Sequence, residues 1–320
     1  MKRFLARHSP LIILAGLCLA MAVVSQDFRR LNNLQDVGGR TCVTGIIAVG
    51  ELLVILTAGI DLSVGSVAAL AGVIAAKAMT DWGLPVPVGV LLGILAGLFC
   101  GTINGLLVTK GRIPPFIATL GTMMAARGAA LLIAKSCPIV VLVKSFQWLG
   151  GSKVLEGGGT AWWVPVLLAV SITIFFSVML TFTGFGRSIY ALGGNLQAAR
   201  LSGIPVDRVR TGAYALCGML VGVGGVVLAS RTSIGNPTGA EMMELDAIAG
   251  CVIGGASLMG GEGGAAAALA GALIIMVLRN FCNLMNFDTN WQQVYVGVLV
   301  VLLVFYDNYR KRKAGLLKDL

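Results

Sequence analysis

The sequence predicts an all-α fold: a polytopic membrane bundle of about ten transmembrane helices, in one transmembrane domain over residues 1–320. Three observations support this prediction: 57% of the residues are apolar, only 12% are charged, and the mean hydropathy is +0.90. Soluble domains are about 45–50% apolar and about 25% charged, and so few charges cannot cover a water-facing surface. Ten spans of roughly 20 residues would use about 200 positions, which leaves no room for a catalytic domain.

Apolar runs between charges and turn residues define the candidate spans. They cover residues 11–25, 41–58, 63–79, 86–108, 114–134, 162–182, 212–230, 245–259, 264–285 and 291–306. The first run follows Lys2, Arg3 and Arg7 and ends in Ala-Met-Ala at residues 20–22, which is also the pattern of a cleavable signal peptide. We expect a retained first helix, and either outcome leaves the later spans in the same orientation.

The distribution of basic residues predicts that both termini are cytoplasmic. Lys and Arg concentrate in cytoplasmic loops. If the N-terminus is cytoplasmic, the cytoplasmic side holds about twice as many basic residues as the opposite side, although Arg29 and Arg30 then lie on the opposite side. The formal net charge is +10. Because no basic stretch is interleaved with aromatic residues, we expect contact with membrane lipid and none with nucleic acid.

Missing residue types exclude several kinds of chemistry. The only histidine, His8, lies in the N-terminal tail, so a His-based triad or a multi-His metal site is excluded. The seven cysteines include no Cys-x-x-Cys pair, and most lie in or beside apolar segments as packing residues. No Gly-x-x-x-x-Gly-Lys-Ser/Thr motif occurs, so we expect no ATP binding, no cofactor, no metal and no catalytic residue in this chain.

Glycine supplies the clearest packing signal, at 44 of 320 residues, about twice the average share. One ladder recurs at every fourth position of the fourth span, at Gly89, Gly93, Gly97, Gly101 and Gly105. A shorter strip consists of Gly263, Ala267 and Gly271. Such strips smooth one helix face and let a neighbouring backbone approach closely, which predicts a tightly packed bundle.

A polar break interrupts the apolar sequence between the second and third spans. It contains Gly59, Asp61, Ser63 and Gly65, and the chain must leave the helix there. We expect Asp61 or Ser63 to cap the third helix by accepting hydrogen bonds from free backbone N–H groups, in preference to a contact with a transported solute.

A similar pattern opens the eighth span, where acidic residues including Asp246 precede a Gly-rich apolar run. Acidic residues suit the dipole at a helix start. Asp61 and Asp246 each precede a glycine by four residues, so the two halves are candidates for a degenerate repeat. Glycine pairs at 254–255, 260–261 and 263–264 predict a short and broken eighth span, which is typical of transport paths.

Ionisable and amide side chains inside the spans should face protein or water, because burying them in lipid is costly. They are Glu51, Asn104, Arg127, Arg279, Asn280, Asn283 and Gln292. Two interpretations stay open for this set: pairing between helices that fixes the bundle, and a polar lining of the path of a hydrophilic solute.

The cytoplasmic loop 183–211 carries the signals for two short helices with a sharp corner. Asn195 can cap a helix over residues 196–202, Gly203 suits the left-handed position that ends it, and Pro205 fits the first turn of the next helix. Apolar residues stand among arginines in this loop. They indicate an exposed amphipathic knob for a partner protein or a helix that lies flat on the bilayer.

Four stretches of this sequence resemble the permease subunits of ATP-binding-cassette sugar importers, in the ribose, xylose and galactoside branch. The matching residues are 58–66, 115–121, 190–195 with 201–204, and 244–249, and the resemblance covers roughly 44–134 and 184–306. It implies a permease of the bacterial cytoplasmic (inner) membrane that moves a ribose-like monosaccharide. It implies in addition a second permease subunit, identical or related. It also implies a cytoplasmic ABC ATPase that holds ATP and Mg²⁺, and a periplasmic or extracellular sugar-binding protein.

In that family the corresponding loop docks on the ATPase. The resemblance therefore assigns ATPase coupling to Gly194, Asn195, Ala198, Ala199, Ser202, Gly203 and Ile204.

Two features depart from the family pattern. Arg279 stands where a neutral amide is usual, and residues 135–161 match no motif of the family. We expect Arg279 to pair with Glu51 or Asp246 instead of selecting an acidic solute. The alternative function is an ion-coupled secondary transporter that uses Glu51, Asp61 or Asp246 as a proton or sodium site. The sequence offers no paired acid-base residues or metal ligands for a membrane-embedded enzyme.

Overall fold

The computed structural model describes residues 14–151 and 160–288, with residues 291, 292, 294, 295, 297, 298, 301, 302 and 305 beyond them. The regular secondary structure of the described residues is helical, including a 3-10 helix at Asp27–Arg29, apart from one pair of two-residue strands. The helices are α1 (Leu14–Val24), α2 (Leu31–Leu56), α3 (Val64–Thr80), α4 (Val86–Thr109), α5 (Pro115–Ala134), α6 (Lys144–Leu149), α7 (Trp163–Phe182), α8 (Gly184–Gly194), α9 (Leu196–Leu201), α10 (Val206–Thr232), α11 (Met243–Ile253) and α12 (Ala265–Leu284). The strands are β1 (Ile139–Val140) and β2 (Ile234–Gly235), and they pair antiparallel.

Six helices of the described chain are long and apolar enough to cross a membrane: α2, α4, α5, α7, α10 and α12. They confirm a polytopic helical membrane protein, but they confirm neither ten transmembrane helices nor a two-half repeat. The predicted first and tenth spans lie only partly within the described residues, and those described between 291 and 305 are helical.

The eighth predicted span, 245–259, is short and broken in the structure. Its helix, α11, has 11 residues, about 16 Å at 1.5 Å per residue, or half of a roughly 30 Å hydrocarbon layer. The helix ends at Ile253 because glycines with positive φ follow it: Gly255, Gly260, Gly261 and Gly263. The predicted shortening and breakage of this segment are thus confirmed.

Helix α2 lies at the centre of the bundle. Of its most apolar stretch 94% is buried within the protein, against 22–33% for α4, α5 and α7. Those three outer helices expose large apolar side chains such as Phe99, Leu132 and Phe182. The bundle therefore has a protein-packed centre and an apolar outer surface suited to lipid.

The glycine ladder of α4 lets a neighbouring backbone approach closely, as predicted, and at Gly97 and Gly101 this neighbour is α10. A Cβ at Gly97 would lie 2.8 Å from the Gly222 Cα, and one at Gly101 would lie 2.8 Å from the Gly218 Cα. The second strip brings α12 against α11, because a Cβ at Gly271 would overlap the Gly250 carbonyl oxygen. Close backbone approach takes the place of the hydrophobic drive that lipid does not supply.

Between α10 and α11 the chain enters the bundle as an irregular segment, residues 233–242. Its start pairs with β1, and its φ angles are positive at Ser233, Ala240 and Met242. Met242 is the N-cap of α11, and a Cβ on Gly65 in the first turn of α3 would lie 2.5 Å from the Ala240 carbonyl oxygen. The N-terminus of α11 therefore lies against the first turn of α3.

Candidate functional site

The break between α2 and α3 folds back so that it faces α2. Ala58 has a φ of 59°, and the Gly59 N–H donates to the Val54 carbonyl at 3.1 Å. A Cβ at position 59 would lie 2.5 Å from the Tyr214 hydroxyl oxygen, so a larger residue there would have to displace this buried side chain. The turn brings the backbone N–H of Asp61 within 3.0 Å of Glu51 Oε1, to which it donates.

A buried polar cluster forms around Asp61, which is 2% exposed. Its Oδ1 accepts from the Ser63 N–H at 2.8 Å and from the Ser63 hydroxyl at 2.6 Å. The Asn104 side-chain amide, from α4, donates to Asp61 Oδ2 at 3.2 Å and to Ser63 Oγ at 2.9 Å. We name these residues, Glu51, Asp61, Ser63 and Asn104, the break cluster.

The predicted capping of α3 by Asp61 or Ser63 is wrong. Ser63 is the N-cap residue, but its side chain makes no capping hydrogen bond. Asp61 does not cap the helix either. Its oxygens accept from Ser63, which precedes the helix, and from Asn104 of α4. The two side chains expected to cap α3 therefore bond to each other and to Asn104 instead.

The break cluster and the adjacent Tyr214 hold polar atoms that no hydrogen bond among the described residues satisfies. Glu51 Oε2, Asn104 Oδ1 and the Tyr214 hydroxyl are buried and have no hydrogen-bond partner in the described part of the chain. A buried polar atom without a partner costs about 1–3 kcal/mol. The cluster is thus a costly polar element in an apolar centre. Buried polar groups at helix breaks are typical of the transport pathways of membrane transporters.

The other polar residues predicted within spans form separate pairs. Arg279 donates to Asp246 Oδ1 from Nη2 at 2.8 Å and from Nε at 3.2 Å, which confirms the expected pairing and identifies Asp246 as the partner. Asn280 exchanges two amide hydrogen bonds with Asn33, at 2.7 and 3.1 Å. Asn283 accepts from Gln292 at 2.7 Å.

Arg127 has backbone partners. Its Nη1 donates to the carbonyls of Pro237 at 2.7 Å and of Gly239 at 2.9 Å, so α5 holds the irregular segment 233–242. A cavity of about 220 Å³ lies between this segment, α3 and α10, and its lining includes Gly72, Gly225, Thr232 and Asn236. None of the polar residues predicted to line a path borders this cavity.

The sequence interpretation missed Tyr214 and Asn33. Tyr214 lies in an apolar run of α10, and its only signal is the four-residue spacing from Arg210, which donates to the Thr57 carbonyl at 3.3 Å in the break. Asn33 precedes the predicted second span and was therefore outside the set of residues within spans.

Helices α8 and α9 form a corner between the long helices α7 and α10. Asn195 caps α9 by accepting from the Ala198 N–H at 2.9 Å, and Gly203 has a φ of +77°, both as predicted. Leu201 is 90% exposed, whereas Ala199 is buried at 3%. The outward face thus holds most of the predicted coupling residues, namely Gly194, Asn195, Ala198, Ser202 and Gly203, while Ala199 and the half-buried Ile204 pack inward.

Two details of this corner differ from the prediction. Helix α9 ends at Leu201, and the helix predicted from Pro205 is the first turn of α10, which continues without interruption to Thr232. The short helix that accompanies α9 is α8, which Thr183 caps by accepting from the Gly186 N–H at 3.1 Å. Burial raises the pKa of the Tyr190 phenol in α8, so this group stays protonated as a donor.

A bundle of long apolar helices, with a half-length helix, a buried polar break and a protruding helical corner, defines a polytopic membrane protein of the transporter class. A family model described as "Branched-chain amino acid transport system / permease component" matches residues 33–304. The chain belongs to this family and is a multi-pass inner-membrane permease.

Curated relatives align with nearly the whole chain. The ribose import permease protein RbsC of Haemophilus influenzae is 39% identical over 96% of this chain and 94% of its own length. RbsC of Escherichia coli K12 is 38% identical over 97% of this chain and 96% of its own length. The xylose transport system permease protein XylH of Escherichia coli K12 is 34% identical over 88% of this chain and 86% of its own length. No solved structure matches the chain.

Proposed function

We propose that this chain is the membrane-spanning permease subunit of an ATP-driven importer that brings a ribose-like monosaccharide into the cell. The observation that carries this proposal is the alignment with ribose import permeases, at 38–39% identity over 94% or more of both chains. In this function the subunit has no catalytic residue of its own and needs no cofactor.

Energy for uptake comes from a partner. A cytoplasmic ABC ATPase that holds ATP and Mg²⁺ binds the exposed face of α8 and α9, within loop 183–211, where Leu201 offers an unpartnered apolar side chain. A sugar-binding protein delivers the monosaccharide from outside, and a second permease subunit, a copy of this chain or a related one, completes the path.

Uptake of radiolabelled ribose in intact cells tests the function. We expect uptake to stop when the partner ATPase is inactivated by a substitution in its nucleotide site, and to persist when an ionophore collapses the proton gradient while ATP is maintained. Uptake that survives loss of the ATPase but stops with the ionophore would establish the ion-coupled carrier instead. The purified chain alone, in vesicles with an imposed ion gradient, should accumulate no ribose.

Cys137 is a natural reporter of the orientation with both termini in the cytoplasm. It is exposed, whereas the other described cysteines are buried or half-buried. It follows α5, so in this orientation it lies outside the cell. We expect a membrane-impermeant maleimide to label the wild type in intact spheroplasts and not to label the Cys137→Ser variant. If Cys137 were labelled only in inside-out vesicles, the orientation would be the opposite one.

A further inference from the structure

Three chain segments meet below the break cluster. They are the end of α2 with its following turn (Leu56–Gly59), the end of α8 (Gly193–Gly194) and the α11–α12 connection (Gly260–Gly263). The Gly261 N–H donates to the Leu56 carbonyl at 3.0 Å. We name this meeting point the glycine joint.

Backbone touches backbone throughout the glycine joint. A Cβ on Gly193 would overlap the Leu56 carbonyl oxygen and lie 2.5 Å from the Gly261 nitrogen. A Cβ on Gly260 would lie 2.9 Å from the Gly193 Cα and 2.9 Å from the Ala58 nitrogen. No side chain between these segments can change rotamer to absorb a shift, and packed protein is poorly compressible.

The glycine joint connects the outer corner to the buried polar break. On one side, Gly193 and Gly194 end α8, and Asn195 follows as the cap of α9. On the other side, Leu56 lies five residues after Glu51, and the turn that follows ends at Asp61 in the break cluster. Tyr190, one turn before Gly194, donates its hydroxyl to the Gly263 carbonyl at 2.8 Å and fixes α8 to the third segment.

We propose that Gly193 is a positioning residue for energy coupling. Its bare backbone lets α8 press on the end of α2 and on the α11–α12 connection, so that a shift imposed on α8 and α9 moves the break cluster and the half-length helix together. This inference rests on the proposed function, because the ATPase would supply the shift. It assigns a role to a residue outside the exposed docking face.

Gly121 in α5 supplies a matched control outside the corner. A Cβ on Gly121 would meet nothing within 4 Å, and neither Gly121 nor Gly193 has a positive φ. Alanine favours helix at both positions, so Gly193→Ala and Gly121→Ala differ in the contact at the joint and not in backbone preference. Tyr190→Phe is a milder variant that removes one hydroxyl.

The experiment uses the assembled complex of permease, ATPase and binding protein in proteoliposomes, with radiolabelled ribose uptake and ATP hydrolysis measured on the same sample. We expect Gly121→Ala to match the wild type. Gly193→Ala should still co-purify with the ATPase but lose about tenfold in ribose transported per ATP hydrolysed. Tyr190→Phe should lower the same ratio by a smaller factor.

A wild-type ratio in Gly193→Ala would overturn the inference. If Gly193→Ala does not assemble, Tyr190→Phe decides: a lowered ratio with intact assembly supports the joint, and an unchanged ratio rejects it. Failure of the proposed function is distinguishable, because ribose uptake by the wild-type complex would then not require ATP at all.

Discussion

Replacing Gly97 with leucine should prevent the bundle from folding. A Cβ at this position would overlap the Gly218 carbonyl oxygen and lie 2.8 Å from the Gly222 nitrogen, so four added carbons must push α4 away from α10. Overpacking typically costs about 1–3 kcal/mol and more where backbone is displaced, against a total stability of roughly 5–15 kcal/mol. We expect loss of the monodisperse peak in size-exclusion chromatography of the detergent-solubilised protein.

Gly121 in α5 provides the matched control for this substitution. A Cβ there meets nothing within 4 Å, so Gly121→Leu should elute and denature thermally like the wild type. A Gly97→Leu variant that elutes and melts like Gly121→Leu would refute the interlocked packing of α4 and α10.

Removing one side of the ion pair between Arg279 and Asp246 should destabilise the protein strongly. The two side chains are 22% and 6% exposed, and loss of one partner of a buried pair costs about 3–5 kcal/mol because the other charge stays buried. We expect Arg279→Gln and Asp246→Asn each to lower the thermal midpoint in detergent by several degrees or more.

The double variant separates pairing from other roles of the two residues. Arg279→Gln with Asp246→Asn leaves two neutral amides that can hydrogen-bond, so it should be more stable than the sum of the single effects by about 2 kcal/mol. Additive effects would contradict the pair. An Arg279→Gln variant that folds like the wild type but accepts different sugars or sugar acids would show that Arg279 selects the solute.

Local chemistry made part of this fold predictable from one sequence. The cap at Asn195 joins residues three positions apart in sequence, and the left-handed conformation at Gly203 depends on that residue alone. Both follow from the local preferences of asparagine and glycine at helix ends. The ladder through Gly97 was predictable for the same reason, because positions four apart share a helix face. The ladder did not reveal that α10 is the helix it packs against.

Partners distant in sequence were not predictable. Glu51, Asp61 and Asn104 each stand out as polar residues in apolar surroundings, but 43 positions separate Asp61 from the amide that binds it. Pairing at that distance depends on how the helices are arranged. Hydropathy also misplaced the end of the eighth span, because residues 254–259 are largely apolar or small while the positive φ of Gly255 ends the helix.

The glycine contacts between α4 and α10 limit how this protein can move. Gly97 and Gly101 lie against Gly218 and Gly222 without intervening side chains, so sliding one helix along the other by a residue would drive Cβ atoms into main-chain atoms. Any exchange between outward and inward openings must therefore carry the two helices as one rigid body. Movement relative to this rigid pair is left to neighbouring elements such as the half-length helix α11, which is connected at both ends by irregular segments.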